Sequence, residues 1–382
     1  MEFIRAINIL SKASPASVAS IGEIPEFDQL IKDYLYIETS IEKNFRELLN
    51  SLSVEKSIVF LSGSSGDGKS EILTRAQEFY GKSFLFHLDA THSFRPNQNA
   101  IETLDEKFSL YKNSNKTLVV GINIGMLCNY VEEGEDEHSD IKSAIRDFLK
   151  GNKNSEDRYH FTNFEDYPKF QITGDKIHSE FILGLIEKIT KKDEKNPFYK
   201  AFLAGGGGRI RENYILLQEP VIQNEIILLL LKARLKFDQF LTARTILDFV
   251  FCLLTDSGNL FDNLFSKSAN ELSNTIRHFD PCSIRSKAID QFLIQRSVGI
   301  AEPEFIQFKS DFMERFYTND FSHLTWVRVF YMLRTLEISN NYHSNFKDDF
   351  DSELFDVYLN IWELHQNFSI GDEEAKRKIR SF

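Results

Sequence analysis

The chain is poor in cysteine: Cys128, Cys252 and Cys282 are scattered through 382 residues with no C-x-x-C spacing. That excludes a disulfide framework and a thiolate metal knot, and it suits a reducing compartment. Proline is sparse, at 8. No apolar run is long enough to cross a bilayer; the most apolar, Ile226 to Leu231, is closed by Lys232 and Arg234. The opening Met1-Glu2-Phe3-Ile4-Arg5 lacks a signal-peptide pattern, so a cytoplasmic protein without membrane contact is expected. Dense Lys/Arg tracts are missing as well. Forty-five basic against 57 acidic residues leave a net charge of −12, and such a surface repels nucleic acid except at a local groove. What the chain does have is aromatic mass. Its 35 Phe and 42% hydrophobic content predict an aromatic-packed helical core, in a length that suits two or three domains.

One stretch carries recognisable chemistry. An apolar strand, Ile58 to Leu61, runs into Gly63-Ser64-Ser65-Gly66-Asp67-Gly68-Lys69-Ser70, which fits the phosphate-loop pattern G-x-x-x-x-G-K-[ST]. A helix over Lys69–Tyr80 follows, with Ile72, Leu73, Ala76 and Phe79 on its apolar face. Glycines let a backbone wrap a phosphate and turn several N–H groups inward. The start of the helix, including Glu71, adds a positive helix end. Lys69 supplies charge for the β- and γ-phosphates, and the Ser70 hydroxyl is a hard oxygen ligand for Mg²⁺. A nucleoside triphosphate with Mg²⁺ is therefore the expected ligand.

Further along, Ser83 to Leu88 is a second strand that ends at Asp89. An acid at the end of an apolar strand can hold the water shell of Mg²⁺, as a Walker B strand does; the rival is an Asp capping the next turn. Ala90 and Thr91 follow, so no catalytic Glu is assigned. A helix is expected over Pro96–Tyr111. A third strand, Lys116 to Asn123, ends in a polar tip that can act on the γ-phosphate or attacking water (sensor 1), or simply form a turn. The acid run Glu132 to Glu137 reads as a solvated loop, Ser139 as the cap of a helix over Asp140–Lys150, and Arg158 onward as a fourth strand. Strands alternating with helices predict a parallel sheet. From about Asp175 helices dominate: His178–Thr190, Pro197–Ala204, Pro220–Phe237, Leu241–Leu254 and Ile284–Arg296. Gly205 to Gly208, followed by Arg209 and Arg211, reads as a hinge or flexible loop, with an arginine finger acting in trans on a neighbour's nucleotide as the rival. Arg244, beside a possible cap at Thr242, can serve as a lid arginine at the γ-phosphate (sensor 2), with a surface ion pair as its rival. Trp326, Arg328 and Arg334 could touch nucleic acid, but they lie among aromatics at helical spacing, which is a core pattern. The expected class is α/β: a phosphate-loop NTPase with a parallel sheet flanked by helices, then an all-α lid and a C-terminal helical domain. The domains fall at 1–52, 53–175, 176–300 and 301–382, the last of which a longer protein trimmed at its end would also show.

The loop resembles that of the F component of bacterial DNA phosphorothioation-dependent restriction, the DptF family, as do weaker stretches. These are Tyr34 to Lys43, Asp89 to Thr91, Phe161 to Pro168, Leu241 to Asp248, and Asp280 to Arg285. The resemblance implies an ATP-driven subunit of a defence complex acting on DNA without the protective sulfur modification, with other subunits and DNA as partners. A nucleotide-gated scaffold with little hydrolysis is the alternative.

Overall fold

The computed structural model describes residues 2–13, 26–52, 56–64, 67–90, 99–152, 158–173, 176–205, 208–239, 241–300, 302–337, 340–351, 353–366, 368 and 372–381. The chain divides into two compact units, Glu38–Pro168 and Met1–Ile37 with Lys169–Phe382. The divisions fall at 37/38 and 168/169. The helix over 40–51, grouped by sequence with an N-terminal segment, thus belongs to the sheet unit. Helices α1 (Glu2–Asn8) and α2 (Glu26–Leu35) belong to the helical unit.

The sheet unit runs α3 (Ser40–Ser51), β1 (Ile58–Ser62), α4 (Lys69–Tyr80), β2 (Leu85–His87), α5 (Ala100–Lys112), β3 (Leu118–Ile122), α6 (Ile124–Glu133), α7 (Ser139–Leu149) and β4 (Tyr159–Asn163). Its four strands are parallel, in the order β2-β3-β1-β4. β1 is buried along its whole length, as a central parallel strand must be when both faces are covered. Successive side chains alternate between faces. Val59 and Leu61 pack with Phe45 and Leu49 of α3 and with Ile72, Leu73 and Ala76 of α4. Ile58 and Phe60 pack with Leu104 and Phe108 of α5, Leu127 and Tyr130 of α6, and Ile141 and Ile145 of α7.

The connections explain that division. From β1 the chain passes over β3 to reach β2, and α4 lies on the first face. From β2 to β3 and from β3 to β4 it travels the other way along the sheet, and α5, α6 and α7 lie on the second face. A constant hand of crossover requires this pairing of direction and face. The direction reverses between β1 and β3, and the crevice outside the carboxyl ends of such a pair is where open α/β sheets take their ligands.

Several local expectations change. α5 starts at Ala100, held by a reciprocal capping box between Asn99 and Glu102; the expected start at Pro96, like Thr91, lies outside the described residues. Ser139, expected as a cap, is instead the first residue of α7. The preceding His138 is buried and shares a hydrogen bond with Ser109 Oγ at 3.3 Å, so it makes no capping bond. Glu132 and Glu133 end a helix rather than sit in a loop, though both are exposed.

After Pro168 the chain returns to the helical unit with a small antiparallel hairpin, β5 (Gln171–Thr173) with β6 (Lys176–His178). The helix expected from His178 therefore starts at Glu180, behind the Ser179 cap. It is α8 (Glu180–Thr190), followed by α9 (Pro197–Leu203), α10 (Arg209–Leu217), α11 (Pro220–Phe237) and α12 (Ala243–Thr255). Pro197, Pro220 and Pro303 each sit at a helix start, where the missing N–H costs nothing. The aromatic C-terminal block is core: Trp326 is 1% exposed and packs edge-on against Phe305, Phe308 and Phe312. Arg328 is taken by Asp262 and Asp280, and Arg334 by Glu225 and Asp351. Among the described residues no single helix is long and apolar enough to cross a membrane. The one composite candidate is α10 with α11, bent by 84°, and its Leu229, Leu230 and Leu231 are fully buried in protein.

Candidate functional site

Residues 63–68 join the carboxyl end of β1 to the start of α4; Ser65 and Gly66 of this loop lie outside the described residues. Gly68 caps α4 at φ 99°, a left-handed backbone where a Cβ would meet no neighbour but would strain the chain. Gly63 is required for a different reason. A Cβ there would lie 2.9 Å from Phe164 Cβ and 3.0 Å from Asp67 Oδ2. The loop is tied on itself from both sides. Lys69 Nζ donates to Gly63 O at 2.9 Å and to Ser64 O at 2.6 Å, while the Ser64 N–H donates to Asp67 Oδ2 at 2.6 Å. Ser70 stands exposed on the first turn of α4, whose N-terminal end carries the positive pole of a 12-residue helix. Glu71, also exposed, accepts from Arg75 Nε at 2.8 Å one turn along.

The neighbouring strand tips frame the loop. The β1–β3 register ends at Ser62 opposite Ile122, so Gly63 and Asn123 are the next residues on adjacent strands. Asn123 Oδ1 accepts from the Met126 N–H at 2.7 Å and caps α6. Asp89 follows β2, the edge strand, and β3 lies between β2 and β1. The Ala90 N–H donates to Gly121 O at 2.9 Å, tying the chain that follows β2 to β3. Gly121 permits a close approach: a Cβ there would fall 2.3 Å from Leu73 Cδ1 and 2.4 Å from Leu88 O. Just before Asp89, His87 is buried; burial, with Lys107 adding and Asp89 opposing, pushes its imidazole down to about 4.

On the other side, Asn163 at the tip of β4 faces Ser62 in register and accepts from the Glu165 N–H. Ser62 itself is fully buried, and its hydroxyl has no hydrogen-bond partner among the described residues. Asn163 and Phe164 are neighbours of the loop; the sequence places them in the stretch Phe161 to Pro168 that carries the resemblance but marks neither as a site residue. The available signal is the one that marks Asn123, a strand ending in asparagine.

Arg244 belongs to the helical unit, near the start of α12, where Thr242 and Thr245 form a reciprocal cap. Its Nη2 donates to Lys12 O at 3.3 Å. Arg209 donates to Ser257 O, and Arg211 lies over the Phe202 ring, both also within that unit. Thus Gly63, Ser64, Asp67, Gly68, Lys69, Ser70, Glu71 and Asn123 gather at one strand end, Asp89 lies one strand further out, and Arg244 is in the other unit. Among the described residues no group of three or more His, Cys, Asp or Glu side chains could hold a metal ion. No family model matches the chain, and no curated protein matches it.

Proposed function

We propose that the loop over residues 63–70 is a phosphate loop that binds ATP with Mg²⁺, and that the chain is an ATPase or ATP-dependent switch. The observation that carries this reading is positional. A glycine loop with a lysine and a serine at its helix end lies at the carboxyl end of β1, where the sheet's connections reverse direction. Backbone N–H groups and the α4 terminus would hold the phosphates, with Lys69 moving from the loop carbonyls to the ligand.

Ser70 and Asp89 would hold Mg²⁺. Two protein oxygens suit this ion, which keeps most of its water and takes its other ligands from phosphate. The buried hydroxyl of Ser62, without a hydrogen-bond partner among the described residues, leaves a polar group at the base of the loop for a bound ligand or water. Bound Mg²⁺ would neutralise charge on the phosphates; Asn123 would orient a γ-phosphate or water, and Arg244 would act as the lid arginine.

The resemblance of the loop to the DptF family extends the proposal. The chain would be the nucleotide-driven subunit of a bacterial restriction complex acting on DNA without phosphorothioate, together with other subunits. A second reading, a nucleotide-gated scaffold with little hydrolysis, is favoured by one feature: Asp89 is followed by Ala90 and Thr91 rather than by an acid.

Phosphate release from ATP with Mg²⁺ tests both, comparing the wild-type chain and Lys69→Ala, with and without DNA. Turnover lost in the variant is expected for the ATPase, and stimulation by DNA for the defence role. Nucleotide binding that depends on Lys69 without turnover would favour the scaffold. Binding indifferent to Lys69 would defeat both.

A further inference from the structure

We infer, on the premise that the loop over 63–70 takes the phosphates, that the end of β4 and the start of α3 form the site for the nucleobase, with the base stacked on the Tyr167 ring and its edge on the Asn44 amide. The direction of a bound nucleotide follows from the groups already placed. Asn123, at the tip of β3, would meet the γ-phosphate, and Asp89, beyond β3, the Mg²⁺. Both lie on one side of β1, and β4 lies on the other. A phosphate chain whose γ end points towards β3 sends its nucleoside towards β4.

What stands there is aromatic. Phe164 follows the β4 tip and closes on the start of the loop, where a Cβ on Gly63 would lie 2.9 Å from Phe164 Cβ and 3.0 Å from its Cδ2. The chain then makes a tight turn through Phe164–Asp166, and the Tyr167 N–H donates to Phe164 O at 3.1 Å, so the second ring stays within a turn of the first. Both rings pack against the apolar cluster shared by β1, α3 and α4, yet both remain only half-buried, which leaves part of each open to a ligand. Asn44, exposed on the second turn of α3, donates from Nδ2 to Tyr167 Oη at 2.7 Å. That bond holds the ring and uses one of the two N–H groups of the amide, which has a second N–H and a carbonyl oxygen to offer a base. Stacking accepts any base, because every base has a π-face. The choice among bases therefore falls to Asn44. All of these residues belong to the sheet unit.

The alternative is that the Asn44–Tyr167 bond merely fastens the turn after β4 to α3. Calorimetric titration of the full chain with ATP, GTP and inorganic tripolyphosphate, each with Mg²⁺, separates the two roles, since tripolyphosphate has the phosphates and no base. A stacked base predicts that Tyr167→Ala weakens ATP and GTP by about tenfold, an ordinary contribution of an aromatic ring under a base. Tripolyphosphate should bind this variant as it binds wild type, which also shows that the variant is folded. Tyr167→Phe keeps the ring and should keep most of the affinity for ATP. Asn44→Ala should bring the affinities for ATP and GTP closer together. Equal losses of ATP and tripolyphosphate in Tyr167→Ala, or a Tyr167→Phe protein as weak as Tyr167→Ala, overturn the inference in favour of the fastening role. Full ATP affinity in Tyr167→Ala, beside tripolyphosphate binding that is lost in Lys69→Ala, defeats the base site and leaves the phosphate site standing. An unchanged ratio of ATP to GTP affinity in Asn44→Ala removes Asn44 from the base. If neither ATP nor tripolyphosphate binds the wild-type chain, the phosphate site fails and the base site with it.

Discussion

At Gly68 the backbone occupies φ 99° with open space around the missing Cβ, whereas at Gly121 the conformation is ordinary and the space is gone. These two causes give different costs. Gly68→Ala pays the left-handed penalty alone, about 1–2 kcal/mol. Gly121→Ala must push apart the Leu73 side chain of α4 and the Leu88 carbonyl, one of them backbone, and overpacking of this kind costs about 1–3 kcal/mol, occasionally more. Denaturant melts of the two variants should therefore rank Gly121→Ala as the more damaged. It should also disturb Asp89, because its neighbours Leu88 and Ala90 both lie against Gly121. A Gly121→Ala protein as stable as wild type would contradict the close approach of α4 and the β2 end. The two glycines differ just as much in legibility. Gly68 is announced by the lysine and serine after it, while Gly121 sits in an apolar Val-Val-Gly-Ile run where nothing local reveals what presses on it.

At the scale of elements, β1 and α4 were legible because a buried apolar run and a helical period flank one motif. The hairpin over 171–178 was not, since two three-residue strands are too short to display an alternating pattern. Asp89 and Asn123 were legible as polar residues ending apolar strands. Asn163 was not singled out, because β4 is an edge strand carrying His160 and Thr162, which break the apolar run. Sequence also could not say that β2 is the other edge, which is what sets Asp89 one strand away from the loop. That edge strand has a measurable signature in His87. Its folded-state value of about 4 lies below the ordinary 6.5, so between those values the unfolded chain binds a proton that the native chain excludes. Stability contributed by keeping this imidazole neutral is present above pH 6.5 and is lost as pH falls towards 4. The slope approaches about 1.4 kcal/mol per pH unit for one such proton. Urea melts of wild type and His87→Leu should diverge across this window, with the variant losing less. Parallel curves would mean that burial has not shifted the histidine.

The two units are built differently along the whole chain, and that difference sets where each activity can reside. The helical unit needs both ends of the sequence. Phe3, Ala6 and Ile7 of α1 are buried in it, with Phe3 edge-on to Tyr214 and Phe202, and Lys188 Nζ binds the carbonyls of Tyr34 and Tyr36 at 2.6 Å each. The sheet unit, by contrast, is one uninterrupted stretch with apolar clusters on both faces of its sheet. A segment of about 130 residues with its own core is of the size that folds alone. Residues 38–168 expressed by themselves should therefore unfold in a single cooperative transition. They should also bind N-methylanthraniloyl-ADP in a manner abolished by Lys69→Ala, because the loop, its lysine and the start of α4 all lie within them. Turnover is a separate matter, since Arg244 lies outside the fragment. If Arg244 supplies charge to the reacting phosphate, the fragment should bind nucleotide yet hydrolyse ATP far more slowly than the full chain, and Arg244→Ala in the full chain should reproduce that loss. A fragment that turns over ATP at the full-chain rate would remove Arg244 from the site. A fragment that folds but does not bind would show that the loop at the end of β1 is insufficient for phosphate by itself.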